Sequence, residues 1–165
     1  MRLLIGNELY HEVVLDKLLH ARESVWIATA NVKAMLVNAD ADSEKFVPII
    51  DVFARLADKG VELRLLHADL PSRPFRQAFD KKKNLVRGGL ELKVCPRVHF
   101  KCVLIDGGFV YLGSANLTGA GLGAKSEQRR NVCPDPIGQA VAKVRASAQR
   151  NQKRRRSIVG KWKQR

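Results

Sequence analysis

The chain has 165 residues, of which 45% are hydrophobic, and a formal net charge of +14. A chain of this length supports one domain with a substantial core but not two. No apolar run approaches the roughly 20 residues that a membrane-spanning helix needs, and the apolar start over residues 1–6 is too short for a signal peptide. We therefore expect a cytoplasmic protein with a single domain over residues 1–150, followed by a basic tail over residues 151–165.

The hydrophobic pattern alternates between helical and extended segments along the chain. Helical spacing of apolar residues predicts helices over residues 7–22, 44–59, 74–82 and 136–150, the second of them capped by Ser43 and ended by Gly60. Apolar runs between these segments predict strands over residues 24–30, 61–66 and 90–94. Residues 32–42 fit neither pattern. This order is typical of an α/β fold in which a layered sheet carries helices on its faces.

The most informative segment begins at His99. His99 and Lys101 are two positions apart in an apolar run, so on a strand both side chains leave from the same face. We expect Phe100, Cys102 and Leu104 to point the other way, into a core. The segment therefore presents an imidazole and an ammonium together on one side of a strand.

A hairpin brings further polar groups to this strand. Gly107-Gly108 indicates a tight turn, and residues 109–112 are a returning strand. The returning strand would carry Ser114 and Asn116 back beside His99. An imidazole can attack phosphorus and form a covalent phosphohistidine. An ammonium and an amide can hold the non-bridging oxygens, where negative charge accumulates. These groups are sufficient for a phosphodiesterase that uses no metal.

The spacing His99-x-Lys101-x4-Asp106-x6-Gly113-Ser114-x-Asn116 resembles the signature of the phospholipase D superfamily. That family includes lipases, phospholipid synthases, nucleases and DNA-end hydrolases, and its catalysis needs two copies of the motif. One His is the nucleophile and the other is the general acid. Because this chain has one copy, it resembles the small dimeric nucleases of the family, in which each of two identical subunits supplies half of the site.

The resemblance implies a role for each matching residue. His99 would be the nucleophile in one subunit and the leaving-group acid in the other, while Lys101 and Asn116 grip phosphate. Ser114 would help to position the site, and Asp106 would be mainly structural, because in the family this carboxylate sits away from the phosphate. The implied fold is a phospholipase D-like layered fold, with a mixed β-sheet flanked by helices on both faces.

The family also places a Glu beyond the Asn, where its carboxylate orients the nucleophilic His and stabilises the imidazolium. One alignment of the loop after Asn116 puts Glu127 at this position, whereas another, through Asn131, puts Cys133 there. We favour Glu127 because the only other acid after Asp106 is Asp135, which stands between two prolines. If neither alignment holds, the site is weakened or inactive.

The positive charge is concentrated late in the chain. After residue 106 there are 13 Lys and Arg against 2 Asp and Glu, a net +11. The basic tail would bind a polyanion by counterion release, and Trp162 could stack on a base or lie at a lipid interface. The equal alternative is a solvated, frayed end that contacts nothing specific. The partner we favour is nucleic acid, in particular DNA. A phospholipid-hydrolysing or transphosphatidylating enzyme and a nucleic-acid-binding module without activity are the two alternatives.

We expect no metal and no cofactor. The three cysteines are odd in number and lack the paired spacing of metal ligands, so free thiols are favoured. The glycines of residues 119–123 lack the Gly-Lys-Ser/Thr ending of a phosphate-binding loop and do not follow the first strand of a βαβ unit. We therefore interpret this stretch as the flexible loop that follows Asn116.

Overall fold

The computed structural model of the protein describes residues 2–124. The predicted helix over residues 136–150, the basic tail over residues 151–165, and both Glu127 and Cys133 lie outside the described residues. The fold is α/β, with a five-stranded mixed sheet, a two-stranded sheet and several helical segments. The predicted fold class is therefore confirmed.

Seven strands occur among the described residues. They are β1 (Ser24–Thr29), β2 (Leu36–Asn38), β3 (Phe46–Pro48), β4 (Glu62–His67), β5 (Glu91–Val94), β6 (Lys101–Ile105) and β7 (Phe109–Gly113). The larger sheet has the order β5-β4-β1-β6-β7, and β2 pairs with β3 separately. β1, β4 and β5 run parallel, β6 is antiparallel to β1, and β7 is antiparallel to β6. This mixture places the carboxyl ends of β1 and β4 at the same edge as the start of β6.

The helical segments follow the predicted order. The first is a segment with π-type hydrogen bonds, Tyr10–Lys17, that ends in a 3-10 turn, Leu18–His20. The α-helices are α1 (Ile49–Asp58) and α2 (Arg73–Asp80), and a short π-type segment, Leu85–Gly89, was not predicted. Within residues 2–124, no helix has both the length and the hydrophobicity required to span a bilayer.

Helix α1 begins at Ile49, so the predicted start at residue 44 is wrong. The reason is Pro48, which lacks an N–H donor and whose ring clashes with the preceding helical turn. The residues before the helix form β3 instead, and Pro48 (φ −57°) directly precedes the first helical residue. Ser43 accepts a hydrogen bond from the N–H of Lys45 at 3.1 Å and so stabilises a local turn, not the helix. The predicted end is confirmed by Gly60, which follows the helix with φ +83°.

One face of the larger sheet packs against the helical segments. The three central strands each turn alternate residues into this shared core, namely Val25, Ile27, Leu63, Leu65, Val103 and Ile105. Because side chains alternate along a strand, Lys101 leaves β6 on the same side as Val103 and Ile105. The Lys101 side chain therefore lies at the end of the core-facing surface and is buried.

The expectation that Phe100, Cys102 and Leu104 point into this core is wrong. They lie on the opposite side of β6, where they line a cavity of about 300 Å³ together with Trp26 and Arg64. Phe100 is 57% exposed. The alternation of β6 is as predicted, but the helix-covered core lies on the face of Val103 and Ile105, and on the opposite face Cys102 is buried while Phe100 is exposed.

A tight turn connects β6 and β7. The N–H of Gly108 donates to the carbonyl of Ile105 at 3.2 Å, so the central residues of the turn are Asp106 and Gly107. Both have positive φ, at 51° and 62°, which is the combination that a type I′ hairpin turn requires. The predicted hairpin is present, with the turn centred one residue earlier than predicted.

Candidate active site

Three polar or charged side chains are buried among the described residues, and all three lie at one end of the larger sheet. They are Thr29 at the end of β1, His67 at the end of β4 and Lys101 at the start of β6. Thr29 pairs with His67, and because Ala28 pairs with Cys102, Thr29 and Lys101 are the next positions of their strands. Burying polar groups costs free energy unless they are hydrogen-bonded, so this cluster marks the sheet end as the candidate site.

His99 and Lys101 are in contact at this sheet end. The Lys101 ammonium donates to the carbonyl oxygen of His99 at 2.6 Å, and its Nζ lies 3.3 Å from the imidazole Nε2. An ammonium has no lone pair, so Nε2 must be the acceptor, and the proton of a neutral ring is then carried by Nδ1. The His99 side chain is exposed whereas Lys101 is 7% exposed. The imidazole is therefore accessible from solvent and contacts the buried, positively charged ammonium of Lys101.

The Lys101 ammonium has no carboxylate partner among residues 2–124; its hydrogen-bond partners are both on His99. A buried cation without a paired anion favours the binding of an anion next to it. The geometry therefore supports a site for a negatively charged group between Lys101 and His99.

The end of the hairpin brings Ser114 and Asn116 to the same place. Gly113 pairs with Lys101, so the residues that follow Gly113 continue past the start of β6. Ser114 is exposed, and no described residue hydrogen-bonds to its hydroxyl. Of the six predicted site residues, the structure therefore places His99, Lys101 and Asn116 at this sheet end. Ser114 directly follows Gly113, and no hydrogen bond joins it to these three.

The sequence did not identify the residues that hold Asn116. Its Oδ1 accepts from the N–H of Asn31 and from the Thr29 hydroxyl, both at 3.2 Å. The Thr29 hydroxyl also accepts from the N–H of Leu117 at 3.2 Å. The only sequence signal was a polar residue at the carboxyl end of a buried strand, which is where ligand sites occur in sheets with parallel strands.

Asp106 lies at the opposite end of β6 from His99. Its carboxylate accepts hydrogen bonds from the backbone N–H groups of Arg22, Glu23 and Ser24 at 2.8 to 3.1 Å. Burial alone would raise the pKa of this carboxyl, but the donors of Glu23, Ser24 and Arg22 outweigh burial and lower the pKa below its ordinary value. The contacts of Asp106 therefore tie the start of β1 to the hairpin turn.

Glu127, the carboxylate that we expect to orient His99, lies outside the described residues. Among residues 2–124, no carboxylate hydrogen-bonds to the His99 ring, whose only such contact is with Lys101. The same part of the chain contains no cluster of three or more His, Cys, Asp or Glu side chains that could hold a metal ion.

The glycine-rich loop after Asn116 packs against Asn116 itself. A Cβ at Gly121 would lie 2.5 Å from the backbone oxygen and 3.0 Å from the backbone nitrogen of Asn116. Gly123 has a φ of +80°. These two glycines are therefore explained by close approach and backbone conformation, so the loop helps to place Asn116.

Residues 14–146 match the family described as "Cardiolipin synthase, PLD-like domain". Among solved structures, the chain resembles the phospholipase D family member Nuc from Salmonella typhimurium, at 17% identity and a TM-score of 0.47. The match covers 67% of this chain and 66% of Nuc. It also resembles TrmBL2, an archaeal chromatin protein, at 16% identity and a TM-score of 0.41, over 61% of this chain and 34% of TrmBL2.

The chain thus spans less than two thirds of each of these two proteins. No curated protein matches it. The family match, in contrast, covers well over half of the chain and includes the whole His99–Asn116 segment. This protein therefore belongs to the family of phospholipase D-like domains.

Proposed function

We propose that the protein is a metal-independent phosphodiesterase that hydrolyses nucleic acid through a phosphohistidine formed on His99. The observation that carries the proposal is the contact between an exposed imidazole and a buried ammonium, with 3.3 Å between His99 Nε2 and Lys101 Nζ. A phosphate oxygen that replaces Nε2 as an acceptor of the Nζ hydrogen bond would free the Nε2 lone pair and bring phosphorus next to it. The charge of Lys101 would then stabilise the oxygens of the transition state.

The reaction has two displacements. In the first, the His99 nitrogen forms a bond to phosphorus, the bond from phosphorus to the leaving oxygen breaks, and a second imidazolium gives that oxygen its proton. In the second displacement, the second imidazole, now neutral, takes a proton from water as the water oxygen attacks phosphorus. The phosphorus–nitrogen bond then breaks, which releases the phosphomonoester and restores both imidazoles. Each step replaces one bond at phosphorus by another, so no oxidant or reductant is required.

A second imidazole is needed because one ring cannot be both nucleophile and acid in the same displacement. We propose that His99 of a second, identical subunit supplies it across a two-fold axis. The exposure of His99 supports this arrangement, since a buried ring could not reach a site shared between subunits.

Nucleic acid is the favoured substrate because of the charge of the chain. Residues 107–165 carry a net +11 and residues 1–106 a net +3. A polyanion gains binding free energy from such a surplus through counterion release, and its phosphodiesters are the bonds that the site would cleave. The family description, which names a cardiolipin synthase, is the reason to keep phospholipid as the second candidate.

The first experiment measures hydrolysis of a chromogenic phosphodiester, of DNA and of anionic phospholipid vesicles, each in excess EDTA. It compares the wild type with H99A and, as a matched control, with H20A, which removes an exposed imidazole whose hydrogen-bond partner among residues 2–124 is the carbonyl of Leu15. We expect activity in the wild type and in H20A, and none in H99A. Turnover of anionic phospholipid vesicles but not of DNA would select the lipid enzyme. DNA binding without turnover of any substrate would select the non-catalytic module.

A further inference from the structure

The orientation of the Asn116 amide is fixed by the protein. An amide oxygen has two lone pairs, and the Asn31 N–H and the Thr29 hydroxyl both lie within hydrogen-bond distance of Oδ1. The Asn31 N–H can only donate, so it also determines which end of the amide is oxygen. No described residue accepts a hydrogen bond from Nδ2. The two N–H groups of Nδ2 are therefore the part of Asn116 that is available to a ligand.

Thr29 holds both the side chain of Asn116 and the backbone that follows it. Its hydroxyl has one proton, which the carbonyl of Asn31 and Asn116 Oδ1 share as acceptors, each at 3.2 Å. The hydroxyl oxygen accepts the N–H of Leu117. Thr29 is 1% exposed, so water competes little for the hydrogen bonds of its hydroxyl. Loss of the hydroxyl would leave the amide held by the Asn31 N–H alone, free to turn about that bond, and would leave the buried N–H of Leu117 without its acceptor.

We propose that Thr29 is a positioning residue that aims the Asn116 Nδ2 donors at the phosphate bound by Lys101. This inference rests on the proposed function, because it requires that Asn116 binds phosphate. It adds a residue from β1, outside the His99–Asn116 segment, to the set that determines the rate. Thr29 itself does not touch the substrate.

A double-mutant cycle tests the proposal. T29V keeps the shape of the side chain and removes its hydroxyl, whereas T29S keeps the hydroxyl. We expect T29V to lower kcat about tenfold or more with a smaller change in KM, since a group that orients a ligand-binding side chain commonly has effects of this size. T29S should restore most of the rate. In an N116A background, T29V should have no further effect, because its action passes through Asn116.

The outcomes separate this inference from the proposed function. If T29V lowers activity equally with and without Asn116, or leaves activity unchanged, Thr29 is not a positioning residue, although His99-dependent hydrolysis would still support the proposed function. If the wild type shows no His99-dependent hydrolysis, both proposals fail.

A measurement on the wild type covers the case in which T29V does not fold. The side-chain amide signals of Asn116, assigned by their loss in N116A, are followed by NMR during titration with inorganic phosphate. We expect the Nδ2 proton signals to shift together with those of His99, and to do the same in T29S. A shift at His99 without a shift at Asn116 would overturn the inference and leave the proposed function standing.

Discussion

Lys101 is the residue whose charge does most for the proposed chemistry. Its ammonium is buried, and among the described residues it has only His99 as a partner. K101M replaces Lys101 by an apolar side chain of similar length and removes its charge. Because a preorganised donor to a developing negative charge is lost, we expect kcat/KM to fall about 100-fold or more. The melting temperature should not fall, because a buried unpaired cation is removed.

The matched control for K101M is K93M. Lys93 is exposed and forms an ion pair with Glu91 at 2.6 Å, the kind of surface pair that contributes little to stability. We expect K93M to retain the wild-type rate constants in the chromogenic assay. Full activity in K101M would show that the buried charge is not used in the reaction.

Asp106 determines how the fold responds to acid. Its pKa is lowered in the folded state, so its contribution to stability is complete above the ordinary carboxyl pKa of 3.8 and is lost as the pH falls through the folded value. In D106N the residue still tolerates a positive φ but has lost its charge. We expect D106N to be less stable by about 1 to 3 kcal/mol near neutral pH.

The measurement is urea unfolding of the wild type and D106N at several pH values. The stability difference should be constant from neutral pH to about pH 5 and should narrow below about pH 4. The rate per folded molecule should stay near that of the wild type, since Asp106 lies at the opposite end of β6 from His99. A difference that is independent of pH throughout would contradict the role of the charged form.

At the scale of the elements, the hairpin of β6 and β7 carries most of the site, and the loop after it fixes Asn116. A side chain at Gly121 would overlap the Asn116 backbone, so G121A must shift Asn116. We expect G121A to lower kcat about tenfold or more, because displacing a binding group by about 1 Å has large effects on rate. In the control G108A the new Cβ has its nearest neighbour at 3.8 Å, an ordinary contact, and its rate should be that of the wild type.

The elements that could be predicted from the sequence are those with a local cause. The hairpin follows from alternating apolar residues around Gly107, and the end of α1 follows from Gly60. The start of α1 could also have been predicted, since Pro48 cannot lie within a helix. The reversed assignment of Phe100 could not, because the period of a strand shows that its faces differ but not which face the helices cover.

The contacts of Thr29 could not be predicted from the sequence, for a different reason. Thr29 and Leu117 are 88 positions apart, and no local pattern indicates that the loop after β1 meets the loop after β7. That contact depends on the strand order, which brings β6 and β7 beside β1. The motif alone therefore identifies the groups of the proposed chemistry but not Thr29, which orients Asn116.

At the scale of the whole molecule, the proposed site needs two copies of the chain. Mixing the wild type with a ninefold excess of H99A under conditions of subunit exchange should reduce the activity of the wild-type subunits about tenfold, since only one in ten would then meet a wild-type partner. The same excess of the control H20A should not reduce it. An activity that is unchanged by H99A would show that each subunit works alone.

The strand order also determines when the site can form during folding. β1 is among the first strands of the chain, yet its neighbours in the sheet are β4 and β6, so its edges stay unpaired until distant segments arrive. Contacts between distant positions form slowly, because the chain loses loop entropy before it gains their energy. Thr29 and Asn116 can meet only after β6 and β7 have joined β1. In a refolding experiment, helix content should therefore return early, and enzymatic activity should be the last property to recover.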